Sequence, residues 1–287
     1  MSKRHVQQSR LSDAQADREK AQRAISLKDA DIATLRAEIA RLQAEVAERE
    51  AKEAPMHVGA VAMIDALGFK GIYRRHKPQA VIERMRAIRR EVEDYPNGAV
   101  VPSIIRIVNV SDMIVIGLYD VEGDSSLTIA SVAFLVSKLL LFAANGEPAF
   151  AYRGCIAYGE FEMDDNVLLG PAIDEAAGSA EQAEASIVWC TPSAVRELRS
   201  PADEHLFRGD VPLKEGLRYK SYLVRPWLPT QTIHEVTKTM ERILGTFDVR
   251  APGREEITIA VKKQLTERFL AEAKDTHKHD PNWTFQV

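Results

Sequence analysis

Cysteine is nearly missing from this 287-residue chain, with only Cys155 and Cys190 present. Both lie in apolar, strand-like surroundings, which reads as two buried free thiols in a reducing compartment. The pair excludes a disulfide framework, and no zinc-ligand spacing exists. An excess of positive charge is also missing: 38 Lys and Arg stand against 42 Asp and Glu, a net charge of -4. No global basic field draws in nucleic acid, so no nucleic-acid partner is expected. The N-terminal residues Met1-Ser2-Lys3-Arg4 lead into polar sequence without an apolar core, so no secretory signal is expected. The longest apolar stretch, Ile129 to Ala144, is interrupted by Ser131, Ser137 and Lys138 and reads as too short for a bilayer. No membrane association and a cytoplasmic location are the expectations. No internal repeat is visible.

Glycine and proline are absent from residues 12 to 53, which are rich in Ala, Glu, Arg and Gln. Ile25, Ile32, Ile39 and Val46 fall on the a positions of a heptad, and Leu35 and Leu42 on d. A β-branched a with Leu at d favours a parallel two-stranded coiled coil. Packing of this helix on its own globular domain is the alternative. Pro55 ends the segment. With 45% hydrophobic and 28% charged residues, the remainder suffices for one good core with appendages. The expected division is a helix at 1–54, a catalytic domain at 55–226 and a helical extension at 227–287.

From Met56 the period changes. Strands are predicted over His57 to Asp65, Val100 to Val110, Asp112 to Tyr119, Phe150 to Phe161, Ile187 to Cys190 and Leu217 to Val224. Helices are predicted over Lys77 to Asp94, Ser125 to Ala144, Ala172 to Ala185, from Pro192, and over Thr232 to Leu244 and Glu255 to Lys274. The β-α-β-β-α-β order followed by α-β predicts an α+β fold with a ferredoxin-like core. Within it, Asp65 closes one apolar run and Asp112 opens another. Two carboxylates on neighbouring strands can share divalent cations, which take oxygen ligands.

These residues resemble a family. From His57 to Val224 the chain is similar to the catalytic domain of class III nucleotidyl cyclases. Asp65-Ala66-Leu67-Gly68-Phe69 resembles that family's Asp-Ile-x-Gly-Phe metal motif. Ser111-Asp112 stands where the family has Gly-Asp. Arg153-Gly154-Cys155-Ile156-Ala157-Tyr158-Gly159 is similar to Arg-x-Gly-Ile-x-x-Gly. Gly170 to Ala177 parallels Gly-x-x-Val-Asn-x-Ala-Ala, and Arg208-Gly209, Lys214 and Tyr222 follow the family's closing pattern. No Gly-Gly-Asp/Glu-Glu-Phe signature of a diguanylate cyclase exists.

The resemblance implies attack of a ribose 3′-hydroxyl on the α-phosphorus of a nucleoside triphosphate, with two Mg²⁺ or Mn²⁺ ions per site. It implies Asp65, Asp112 and the Ala66 carbonyl as metal ligands, Lys214 on the polyphosphate, and Gly68 and Phe69 beside the substrate. It further implies a homodimer with two shared active sites, for which a parallel coil would raise the effective concentration of the partner.

Two departures stand out. The family's interface Asn is Asp174 here, placed among the catalytic residues. The family's transition-state Arg, one turn later, is Gly178; Arg fingers of other phosphoryl-transfer enzymes contribute about 10³- to 10⁵-fold in rate. Lys70, Arg74, Arg75 and Arg153 are candidates to compensate. For Arg153 a carboxylate-paired strand residue is the alternative, and for Arg74 and Arg75 a solvated helix face. In the base pocket, Arg106 stands where adenylyl cyclases usually carry Lys and guanylyl cyclases Glu. Val167 stands where the adenine-reading type has Asp, with Asn166 beside it. Arg offers only donors, which suits the two carbonyls of uracil and leaves the amino group of adenine or cytosine without an acceptor. Guanine O6 and N7 also accept from Arg.

A non-standard base pocket without the usual Asn and Arg resembles the bacterial pyrimidine cyclases of Pycsar antiphage defence. That implies conversion of UTP, ahead of CTP, to a cyclic nucleotide that acts on a separate effector protein. A purine cyclase with an altered pocket and a degenerate, non-catalytic dimeric regulator are the alternatives. His277 and His279 read as a solvated tail, and Trp227 and Trp283 as packing anchors.

Overall fold

The structure, a computed structural model, describes residues 38–39, 41–42, 56–69, 72–93, 105–120, 123–164, 167–199, 204–247 and 254–277. The chain divides into two compact units, Met1–Pro55 and Met56–Val287. In the first, Glu38, Ile39, Arg41 and Leu42 are helical and exposed. The rest of the predicted coil lies outside the described residues, as do Lys70, Asn166, His279 and Trp283.

The second unit is α+β. Its elements are β1 (His57–Leu67), α1 (Pro78–Glu93), β2 (Ile105–Val110), β3 (Met113–Tyr119), α2 (Ser125–Ala144), β4 (Ala151–Asp164) and β5 (Val167–Leu169). There follow α3 (Pro171–Ala180), β6 (Val188–Cys190), α4 (Pro192–Glu197), β7 (Leu206–Pro212), β8 (Arg218–Val224), α5 (Ile233–Gly245) and α6 (Arg254–Asp275). The strand order is β2-β3-β1-β4-β6-β8-β7, with β5 folded back on β4. Its first four strands have the ferredoxin-like arrangement; β4 and β6 pair in parallel and the other pairs are antiparallel.

Strand alternation divides the core. Ala60, Ala62, Ile64 and Ala66 of β1 point to one face, with Ile114 and Ile116 of β3, and meet α1 and α2. Val61 and Met63 point to the other face, with Val115, Cys155 and Phe161, and meet α3 and α6. Helix α2 starts where the Asp124 carboxylate accepts from the Leu127 amide at 3.1 Å. This helix has the predicted bounds, Ser125–Ala144, but by length and composition it is apolar enough to cross a membrane, which the interrupted sequence run reads as too short to do. Here Val132, Val136 and Leu139 are fully buried against the sheet. Helix α1 buries Val81, Met85, Ile88 and Val92, while Ile82 is exposed. Both cysteines are buried and outside any disulfide, and Trp227 is wholly buried. Leu67, at the end of β1, extends the strand past Asp65.

Three differences from the predicted elements have physical causes. Helix α3 stops at Ala180 rather than Ala185, because residues 182–184 bond the β7–β8 region: Glu184 N donates to Pro212 O and Lys214 N to Gln182 O, each at 2.9 Å. Strand β7 was not anticipated, because Gly209 and Pro212 interrupt the apolar alternation of Leu-Phe-Arg-Gly-Asp-Val-Pro; it is an edge strand, where proline is tolerated. His277 is not a solvated tail residue: its Nε2 lies 3.0 Å from Gln231 O and its ring meets Trp227 edge-on.

Candidate functional site

Register places the two aspartates together. Asp65 on β1 sits opposite Met113, the first residue of β3, and Asp112 is the residue before it, in the two-residue turn joining β2 to β3. The Ala66 amide donates to the Asp112 carbonyl at 3.4 Å, holding the turn against β1. Ser111, the other turn residue, has φ 59°, a left-handed conformation that glycine adopts without a Cβ penalty.

Across β1 the partner of Asp65 is Arg153 on β4. Its guanidinium lies 3.2 Å from Asp65 Oδ2, with side-chain exposures of 11% and 15%, so the contact is largely desolvated. Arg153 was read as a strand-end arginine paired with a carboxylate or as a compensating cation; the pairing is present. The neighbouring glycine makes this alignment possible. A Cβ at Gly154 would stand 2.1 Å from Met63 O, so only glycine lets β4 run this close to β1. Arg153 Nη1 also donates to Glu181 O at 3.1 Å, and Nη2 lies 3.7 Å from the Glu181 carboxylate. Lys214, in the turn between β7 and β8, reaches the same carboxylate at 3.9 Å. Asp65, Arg153, Glu181 and Lys214 thus form one connected charged cluster at the end of the sheet.

Burial pushes the Asp65 carboxyl above its ordinary range, the Arg153 guanidinium opposes that, and the charge of Asp112 adds to it. Two neighbouring carboxylates, with Arg153 on the far side of Asp65 from Asp112, form a hard oxygen donor set, which fits a divalent cation. Among the described residues no three His, Cys, Asp or Glu side chains converge. The protein's side-chain share of any cation site here is therefore the Asp65–Asp112 pair, to be completed by backbone and ligand oxygens.

The remaining predicted residues fall in three places. Arg106 is exposed on β2, opposite Gly117 of β3. A Cβ at Gly117 would meet Met163 and Phe161, so Arg106 shares that face of the sheet with Val108, Val115, Met63 and Asp65. Val167, 53% exposed, opens β5 opposite Asp164, on the hairpin that carries Met163. Asp174 and Gly178 lie one turn apart on the exposed side of α3, and a Cβ at Gly178 would meet nothing within 4 Å. Among the described residues no contact joins Asp174 to Asp65. Gly68 has φ 71° and its carbonyl accepts from Arg75 at 2.6 Å, so Arg75 braces the β1 terminus rather than standing wholly in solvent. The Phe69 ring packs beside Phe150 at 6.2 Å between centroids.

Sequence reasoning missed Glu181, which bridges Arg153 and Lys214. It fell inside a predicted helix, and no local pattern marks a residue whose role is set by two distant strands.

No protein-family model matches the chain, and no curated protein matches it. Among solved structures it is similar to the guanylate cyclase domain from Catenaria anguillulae in complex with GTP, at 11% identity and TM-score 0.44, covering 59% of this chain and 96% of that one. It is similar to an adenylate cyclase from Trypanosoma brucei in its monomeric state, at 15% identity and TM-score 0.44, covering 60% and 91%. It is also similar to an adenylate/guanylate cyclase/hydrolase from Silicibacter pomeroyi, at 16% identity and TM-score 0.40, covering 59% and 96%.

Proposed function

We propose that the protein is a nucleotidyl cyclase that converts UTP, ahead of CTP, to the 3′,5′-cyclic nucleotide and pyrophosphate. The observation that carries the reading is the Asp65–Asp112 pair beside Arg153, which shares the Glu181 carboxylate with Lys214. An acidic pair for divalent cations next to a cationic patch for phosphates is the charge pattern a metal–nucleotide complex requires.

Asp65, Asp112 and the Ala66 carbonyl would hold two Mg²⁺ or Mn²⁺ ions. Bound there, the ions would supply Lewis acidity, lowering the pKa of the ribose 3′-hydroxyl and neutralising the leaving oxygens. Arg153 and Lys214 would hold the polyphosphate by charge-assisted hydrogen bonds. Arg153 is shared with Asp65 and Glu181 in this structure, so phosphate binding would draw it away from those carboxylates. Arg106, on the same sheet face as Asp65, would donate to the base, with Val167 leaving no acceptor for an amino group. Asp174 would act across a homodimer in the partner's site, since it faces outward on α3. The released cyclic nucleotide would act as a second messenger on a separate effector in antiphage defence.

The test is incubation of purified protein with ATP, GTP, CTP and UTP separately, in Mn²⁺. Cyclic UMP is the expected main product. Absence of a cyclic product from both pyrimidines removes the pyrimidine reading, and a cyclic purine replaces it with a purine cyclase. The bare Gly178 favours one second reading, a non-catalytic dimeric regulator. A cellular phenotype unchanged by Asp65→Ala would support that alternative.

A further inference from the structure

Helix α6 docks with a stripe of residues spaced three and four apart: Ile259, Lys262, Thr266, Phe269 and Ala273. Ile259 packs on the core beneath the site face, Thr266, Phe269 and Ala273 are buried, and Phe269 stacks on Phe207 at 5.7 Å. Lys262 therefore occupies a position where this pattern calls for an apolar or small residue, and it is only partly exposed.

A short relay of bonds fixes the helix turn whose backbone carries that lysine. The Thr266 hydroxyl donates to Lys262 O at 2.7 Å and accepts from the Ser186 amide at 2.9 Å. The Ser186 hydroxyl donates to Tyr152 O at 2.8 Å, and Tyr152 directly precedes Arg153. The loop carrying Ser186 also carries Glu181 and Glu184. Helix α6 is thus tied, through two hydroxyls, to the strand residue beside the one that pairs with Asp65. We propose that Lys262 is a polyphosphate-binding residue, completing with Arg153 and Lys214 a three-cation cradle that α6 closes over the nucleotide's phosphate tail.

The inference rests on the cyclase reading for the identity of the ligand, and on the packing of α6 for the position of the lysine. The field at Lys262 agrees with it. Burial lowers the ammonium pKa, the charges of Arg153 and Lys214 lower it further, and Glu184 and Asp65 oppose them. An ammonium crowded by two other cations gains from a multivalent anion placed among them. Among the described residues the Lys262 ammonium forms no hydrogen bond or ion pair. This cradle would also answer how the site works with glycine at position 178, since a cation from the same chain stands near the phosphates.

The experiment is calorimetric titration of the full chain with inorganic pyrophosphate in Mg²⁺, comparing the unmodified protein with Lys262→Met and Lys262→Arg. Methionine keeps the apolar stem and removes the charge. Pyrophosphate affinity is expected to fall roughly ten- to a hundred-fold in Lys262→Met and to recover in Lys262→Arg, as for loss of one charged hydrogen bond. Melting temperature separates a packing role, which would lower stability and leave affinity unchanged. Unchanged affinity in folded Lys262→Met, or no pyrophosphate binding by the unmodified protein, overturns the inference. The two readings fail separately. Lysine-dependent pyrophosphate binding without any cyclic product removes the cyclase reading alone, whereas cyclic product with lysine-independent binding removes this inference alone.

Discussion

The two faces of the central sheet teach different lessons, although they alternate residue by residue along the same strands. The face under α1 and α2 is filled by side chains such as Ile64, Ile114, Ile116 and Val136, all fully buried. The opposite face is equally buried under α3 and α6, through Val61, Cys155 and Phe161. At one end, however, it gives way to Asp65, Arg153 and the groups around them. Ile64 and Asp65 are neighbours in the chain and differ only in parity. A residue's task here is decided by which side of the pleat it falls on.

The sharpest way to break this comparison is to mutate the two neighbours. Under the proposed cyclase function, Asp65→Ala is expected to reduce cyclic-nucleotide formation on the order of 10³-fold, the weight of several kcal/mol of cation-held charge stabilisation. Its thermal stability should move little, since Arg153 keeps Glu181 O as an acceptor. Ile64→Ala should do the reverse, losing about 2–5 kcal/mol in a denaturant titration. Equal damage to stability by both would erase the distinction.

A histidine at the margin of the α2 face tests the same point by pH. His205 is buried, packs edge-on to Phe134, and is held near pKa 4, against an ordinary 6.5, by burial and by the Arg225 charge. Its folded-state pKa is below the unfolded value, so the unfolded chain binds the extra proton between these limits. The stability it contributes is complete above about pH 6.5 and is lost as the pH falls toward 4, on the order of 3 kcal/mol in all. Unfolding free energies at about pH 7.5 and about pH 4.5 should differ more in the unmodified protein than in His205→Gln.

Smaller effects sharpen the charged end. Gly178→Arg places a Cβ in open space on α3, so the fold should tolerate it. Turnover is expected to rise about tenfold if a partner's site lies opposite, as for partial restoration of a transition-state cation. Unchanged turnover would place that face away from catalysis. Ser111→Gly should stabilise the protein by about 1 kcal/mol in thermal denaturation, because glycine adopts a left-handed φ without the serine Cβ clash.

Much of the core was legible because its signals are local. The apolar runs of β1, β3 and β4 and the capped, twenty-residue α2 declare their period within a few residues. Asp65 and Asp112 stood out because a carboxylate at the end of an apolar run requires a reason. Strand β7 was hidden, since its glycine, proline and charges are turn chemistry that an edge position tolerates. Strand β5 is three residues long, below the length at which alternation can be read. Glu181 and Lys262 were invisible for another cause. Their meaning comes from residues 28 and more positions away, brought near by β-pairing and by the docking of α6.

Arg225 carries a consequence for the C-terminal helices. Its guanidinium donates to Glu204 O and Leu206 O on one side and to Thr276 O and Oγ1 on the other, while lying over the Phe207 ring. One side chain thus rivets the end of α6 to the outermost strand. A fragment cut after Val224 would lose the rivet altogether, and one cut before Thr276 would leave two of its bonds unmade. The first cut would also strip Arg225 and Phe269 from the Phe207 ring, so the last two helices belong inside any minimal version of the molecule.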